Sequence, residues 1–171
     1  MDITSITKED LEIIEKQLER KPNKIISIPK RCSFGKPVVI KSYPLKDGKP
    51  FPTLYWVTCP HLIKEVGKLE ALGKIKEWEK DINNNIELKE NYINAHLEEK
   101  NERNSLLKDE PEWVKKRLEN IGIGGIVNFE SIKCLHLQLA SFLGGTKNPI
   151  GKRVWDNIEK KECENCICCI L

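Results

Sequence analysis

Long apolar runs are missing from this 171-residue chain, and no window approaches the roughly 18 apolar residues that a bilayer-crossing helix needs. The first ten residues, Met1 to Asp10, hold no apolar core of signal-peptide length. An excess of one charge is missing too. With 29 basic residues against 26 acidic ones, and both signs mixed along the helical segments, nothing in the composition demands nucleic acid. Familiar catalytic signatures are equally scarce: there is no H-E-x-x-H, no serine-nucleophile elbow and no paired carboxylates in a suitable context. Gly122-Ile-Gly-Gly lacks both the spacing of a phosphate loop and a following lysine-serine or lysine-threonine pair, so it reads as a linker that lets the next helix pack closely. These absences set the expectation of a cytoplasmic protein with no membrane span.

Thiols are what the chain has in excess. Of seven cysteines, four crowd the last nine residues as Cys163-Glu-Asn-Cys166-Ile-Cys168-Cys169-Ile-Leu. Cys32, Cys59 and Cys134 lie far apart, each in a short polar or turn-like context. In a reducing compartment an odd set of seven argues against structural disulfides, which leaves metal binding, redox chemistry or lipidation. Lipidation has one specific handle: Cys168-Cys169-Ile-Leu fits the C-a-a-X prenylation pattern, with basic residues upstream.

The hydrophobic pattern predicts an α+β fold that is predominantly helical, with a small antiparallel three-stranded sheet in the N-terminal third packed against a helical bundle. Residues 7 to 20 form an amphipathic helix opened by a Thr7 cap. Three short apolar runs follow, Ile25-Ile-Ser-Ile-Pro, Pro37-Val-Val-Ile and Thr53-Leu-Tyr-Trp-Val-Thr, with Asp47-Gly48 suited to a turn between the second and third. From Pro60 helices dominate: one to Gly73, a second through Trp78, a long charged one from about 86 to 107, then 111 to 118, 130 to 143, and 148 to about 161. The charged helix reads as a surface element, with His96 at the surface and Glu98-Glu-Lys-Asn-Glu-Arg as solvated face. Residues 1–162 are expected to form a single globular domain and 163–171 a cysteine-rich tail.

Cys32 sits in a turn, Cys59 just before a proline-started helix, and Cys134 beside Lys133 near the start of another helix. The positive end of a helix dipole favours thiolate, the form that binds metal. A C-x-x-C pair at Cys163 and Cys166 can clasp one ion but needs two further ligands. His136, two residues after Cys134, reaches the same ion only if the pair lies at a first turn or in a loop; His61 is a weaker candidate beside Cys59.

The phrases Arg31-Cys-Ser-Phe-Gly-Lys-Pro, Phe51-Pro-Thr-Leu-Tyr-Trp-Val-Thr-Cys-Pro, Leu69-Glu-Ala-Leu-Gly, Lys133-Cys-Leu-His-Leu-Gln-Leu-Ala and Asn148-Pro-Ile-Gly follow one another in order. Together they resemble the bacterial domain-of-unknown-function 501 family, DUF501. The resemblance implies no activity, but it marks Cys32, Cys59, Cys134 and His136 as motif residues, alongside Arg31, Glu70, Lys133, Asn148 and others.

The leading expectation is therefore a metal-binding protein. In it Cys32, Cys59 and Cys134 converge and are completed by Cys163, Cys166 or His136 around a zinc ion or an iron–sulfur cluster. A thiol-dependent enzyme or redox protein centred on Arg31, Cys32, Lys133, Cys134 and His136 is the first alternative. A non-enzymatic adaptor that docks a protein partner through the charged helix is the second.

Overall fold

A computed structural model of the chain describes residues 6–166 and residue 168. The chain opens on α1 (Lys8–Leu18), started by a reciprocal capping box. The Thr7 hydroxyl oxygen accepts from the Asp10 amide at 3.1 Å, and the Asp10 carboxylate accepts from the Thr7 amide at 2.9 Å. Ile13 and Ile14 face inward from this helix.

Three strands follow in the order β1 (Ile25–Arg31), β2 (Pro37–Ser42) and β5 (Tyr55–Val57), all antiparallel, with Val39 opposite Val57 and Lys41 opposite Tyr55. The expected sheet is present, and its central strand is the most apolar: Val38, Val39 and Ile40 are buried, with α1 and an α6 defined below both packed on β2. Between β2 and β5 the chain makes an extra two-residue hairpin, β3 (Leu45–Lys46) and β4 (Lys49–Pro50). Asp47 and Gly48 turn it with φ of 50° and 73°, the paired left-handed conformations of a tight hairpin turn.

The helical part runs α2 (Pro60–Ala71), α3 (Lys74–Asn84), α4 (Ile86–Leu106), α5 (Glu112–Leu118), a 3₁₀ turn (Ile123–Gly125), α6 (Leu135–Gly144) and α7 (Pro149–Asn157). α3 continues past Trp78 because Ile82, one turn on, also reaches the core. α6 starts later than the apolar run suggests, since residues 126–134 form an irregular lead-in that ends with Cys134 as an extended N-cap (φ −159°).

α4 corrects two expectations. His96 is fully buried rather than exposed, stacked on Phe129, with its Nδ1 accepting from the Ile123 amide at 3.1 Å. Glu99 and Arg103, read as solvated face, are buried as well. The Arg103 guanidinium donates to the carbonyls of Pro52, Leu118, Ile121 and Gly122, so it holds the 118–122 turn and the loop before β5 against α4. Its partners are backbone oxygens, which leave no mark in a pattern of side-chain polarity. Gly122-Ile-Gly-Gly does permit close packing. A Cβ at Gly122 would fall 2.3 Å from the His96 ring, and one at Gly124, where φ is +58°, would fall 2.2 Å from Leu137.

No helix among the described residues is long and apolar enough to cross a membrane. Cys169, Ile170 and Leu171 of the prenylation pattern lie outside the described residues.

Candidate functional site

α2 organises the chemistry of the chain because it carries a chemistry-bearing residue at each end. Cys59 is its N-cap and Glu70 lies in its last turn. At 1.5 Å per residue, the eleven steps between them separate the two ends by about 16 Å.

At the C-terminal end, α2 packs against α6, and Glu70 meets the start of that helix. One Glu70 oxygen, Oε1, accepts from the Leu135 amide at 2.7 Å, so the carboxylate caps α6 from outside, where the helix dipole favours negative charge. The same oxygen is 3.2 Å from Nδ1 of His136. Nε2 of His136 lies 3.1 Å from the Ile63 carbonyl, which can only accept, so Nε2 carries a proton. Cys134 precedes the first turn of α6 in extended backbone, so the regular-helix angle that would part it from His136 does not apply. A carboxylate oxygen of Glu70, the Cys134 sulfur and a His136 ring nitrogen all lie within 4.8 Å of one another. The imidazole is pushed up to about 9, first by hydrogen bonding to Cys134, then by the Ile63 carbonyl and the charges of Glu70 and Cys134, against the opposing effect of burial. His136 and Glu70 keep 31% and 25% of their side-chain surface in solvent, so a solute can reach the cluster.

The surroundings hold this cluster in place. Tyr92 donates to the Ser131 carbonyl, Gln138 to the Tyr92 oxygen, and Asn148 to the Gln138 oxygen at 2.8 Å, forming a buried chain that ties α4, α6 and the cap of α7 to the lead-in of Cys134. Lys133 donates to the Gly124 carbonyl and so braces the glycine turn.

At the N-terminal end of α2 a second group assembles. Cys32, Cys59, Cys163, Cys166 and Cys168 line one pocket together with Val38, Leu62 and Trp155. Cys32 is held in the β1–β2 turn, where its amide donates to Lys36 and its carbonyl accepts from Gly35. Arg31 fixes that turn to α1 with a two-pronged ion pair to Asp10, at 2.6 and 2.9 Å. The guanidinium holds the Asp10 carboxyl down at about 2. The segment after α7 then folds across the pocket. Glu162 accepts from the amide and hydroxyl of Ser33, His61 Nε2 donates to the Lys160 carbonyl at 2.7 Å, and Gln17 Nε2 donates to the Cys168 sulfur at 3.0 Å. Burial pushes the Cys59 and Cys168 thiols up. Cys163 raises both further, as do Cys168 acting on Cys59 and Cys32 acting on Cys168. Cys32, Cys59, Cys134, Cys163 and Cys168 are free thiols, whereas Cys166 is disulfide-bonded. That bond departs from the expectation that the cysteines form no disulfide.

The candidate ligands therefore divide into two groups. Cys134 and His136 meet Glu70, while Cys32 and Cys59 meet the tail cysteines. Arg31 and Cys32 are likewise remote from Lys133, Cys134 and His136, so the structure does not bring the residues of the thiol-enzyme reading into one place. Sequence reasoning missed Glu70 as a ligand. Its one signal was its place in the Leu69-Glu-Ala-Leu-Gly phrase. Compared with known families, residues 28–156 match DUF501, described as a protein of unknown function. No curated protein and no solved structure matches the chain.

Proposed function

Because the chain belongs to the DUF501 family, whose description carries no activity, we propose from the site itself that this is a metal-binding protein with Glu70, Cys134 and His136 as ligands of a zinc-type ion. The observation that carries the reading is the approach of one sulfur, one nitrogen and one oxygen donor to within 4.8 Å of each other. Ligands of a tetrahedral ion with bonds of about 2.0–2.3 Å sit roughly 3.5–4 Å apart, so a small contraction closes the set. Nδ1 faces the cluster while Nε2–H is anchored on the Ile63 carbonyl, the outer contact that orients a ligating imidazole. A divalent ion would replace the Nδ1 proton and balance one thiolate and one carboxylate. Three protein ligands leave a fourth position for water or a substrate, as in catalytic rather than structural zinc sites.

Zinc titration of the metal-free protein tests this. Zinc at about 100 times its dissociation constant should stabilise the fold by about 2.7 kcal/mol. Cys134→Ser and His136→Gln should each weaken binding at least about tenfold. Equal zinc affinity in wild type and both variants would refute the assignment.

The contact between the His136 imidazolium and the Cys134 sulfur favours a second reading, a cysteine nucleophile oriented by histidine. In metal-free protein that reading requires Cys134 to be alkylated far faster than the other thiols at neutral pH, and His136→Gln to abolish the difference.

A further inference from the structure

The pocket at the other end of α2 is a separate site. Four free thiols from four parts of the chain line it: the β1–β2 turn (Cys32), the α2 cap (Cys59), and two points of the tail (Cys163, Cys168). We propose that Cys32, Cys59, Cys163 and Cys168 are the ligands of an iron–sulfur cluster seated beneath the C-terminal tail.

Two features favour a cluster over a single ion. First, the donors are all sulfur, the ligand set that holds iron–sulfur centres. Second, the lining suits an anionic cluster: Val38, Leu62 and Trp155 contribute apolar surface, and Lys30, Arg31, Lys36 and Lys161 line the pocket against a single carboxylate, Glu162. Hydrogen bonds to cluster thiolates are a recognised tuning element. Gln17 already donates to Cys168 at 3.0 Å.

The site accounts for the docking of the tail. Glu162 on Ser33 and Lys160 on His61 bring Cys163 to the pocket, and Gln17 brings Cys168. Without the tail, Cys32 and Cys59 alone could not complete a cluster.

The test uses full-length protein purified without oxygen and reconstituted with ferrous iron and sulfide. The expected product is brown, with iron and acid-labile sulfide in comparable amounts. Cys32→Ser, Cys59→Ser and Cys168→Ser should each lower bound iron about tenfold or more, while Cys134→Ser leaves it unchanged. Cys168→Ser alters only the tail, so it separates ligand loss from misfolding of the body. Zinc held in place of iron and sulfide, and lost in Cys32→Ser but retained in Cys134→Ser, would overturn the cluster. So would equal iron loss in Cys134→Ser, or a colourless protein whose four thiols react freely while it remains folded. None of these outcomes bears on the zinc titration of Glu70, Cys134 and His136, so the two assignments fail separately.

Discussion

His96 and Glu99 show how burial of single titratable groups shapes the behaviour of this protein with pH. Burial holds the His96 imidazole down at about 4, from an ordinary 6.5. Between those values the unfolded chain binds the proton and the folded chain does not. Its contribution to stability is therefore complete above about pH 6.5 and lost as pH falls towards 4, on the order of 3 kcal/mol in all. Glu99 acts in the opposite sense. Burial raises its carboxyl to about 7 from 4.5, against the pull of Ser141 and Arg103, so its contribution is complete below 4.5 and lost as pH rises through 7. The two effects oppose each other between pH 4.5 and 6.5. In Glu99→Gln, stability should climb with pH across that range more steeply than in wild type; in His96→Gln it should fall. Urea midpoints at half-unit intervals read both slopes, and parallel curves for the two variants would contradict the burial of both groups.

Among elements, the crossing of α6 and α7 is the tightest contact that a single atom can break. A Cβ at Gly151 would stand 2.1 Å from the Gln138 backbone oxygen and 2.5 Å from Cβ of Phe142. Backbone cannot swing aside as a side chain can, so Gly151→Ala should destabilise the fold by about 2 kcal/mol or more, read as a lowered urea midpoint at unchanged slope. Gly145 and Gly48, where a Cβ would meet nothing, carry no such steric conflict. The elements themselves were largely legible. The Thr7 box, the proline at the first turn of α2, the Asp47-Gly48 turn and the Asn148-Pro149 start of α7 are local signals, and local backbone geometry answers to them. The late start of α6 was not legible, because Ile126 and Ile132 are buried without being helical and apolar pattern alone cannot separate those states. Nor was the interior role of α4, since charged residues that bind backbone carbonyls look the same in sequence as residues that face water.

For the whole molecule, the consequential fact is that the candidate donors lie in two places joined by one helix. Donor groups at opposite ends of a helix that rises about 16 Å between them, with no shared ligand, act independently. Cys32→Ser should leave zinc binding at Glu70, Cys134 and His136 unchanged, and Cys134→Ser should leave the metal content of the thiol pocket unchanged. The double variant should show the sum of the two losses, measured by metal analysis and by thermal shift. Losses that depend on one another would mean a single coupled centre.

The sequence by itself determined the inventory: seven thiols, a His136 two residues after Cys134, the caps, the central strand and the lack of an apolar run long enough to cross a bilayer. It also carried the family, through phrases spread across the chain. What only the tertiary structure decided is which donors meet. Glu70 lies 64 positions before Cys134 and joins it because α2 packs on α6; Cys59 lies more than 100 positions before the tail cysteines and joins them because the chain after α7 folds over the β1–β2 turn and the start of α2. A metal centre requires its ligands within a few ångströms, while a rigid helix keeps its ends far apart. The donors expected at one site thus lie in two groups.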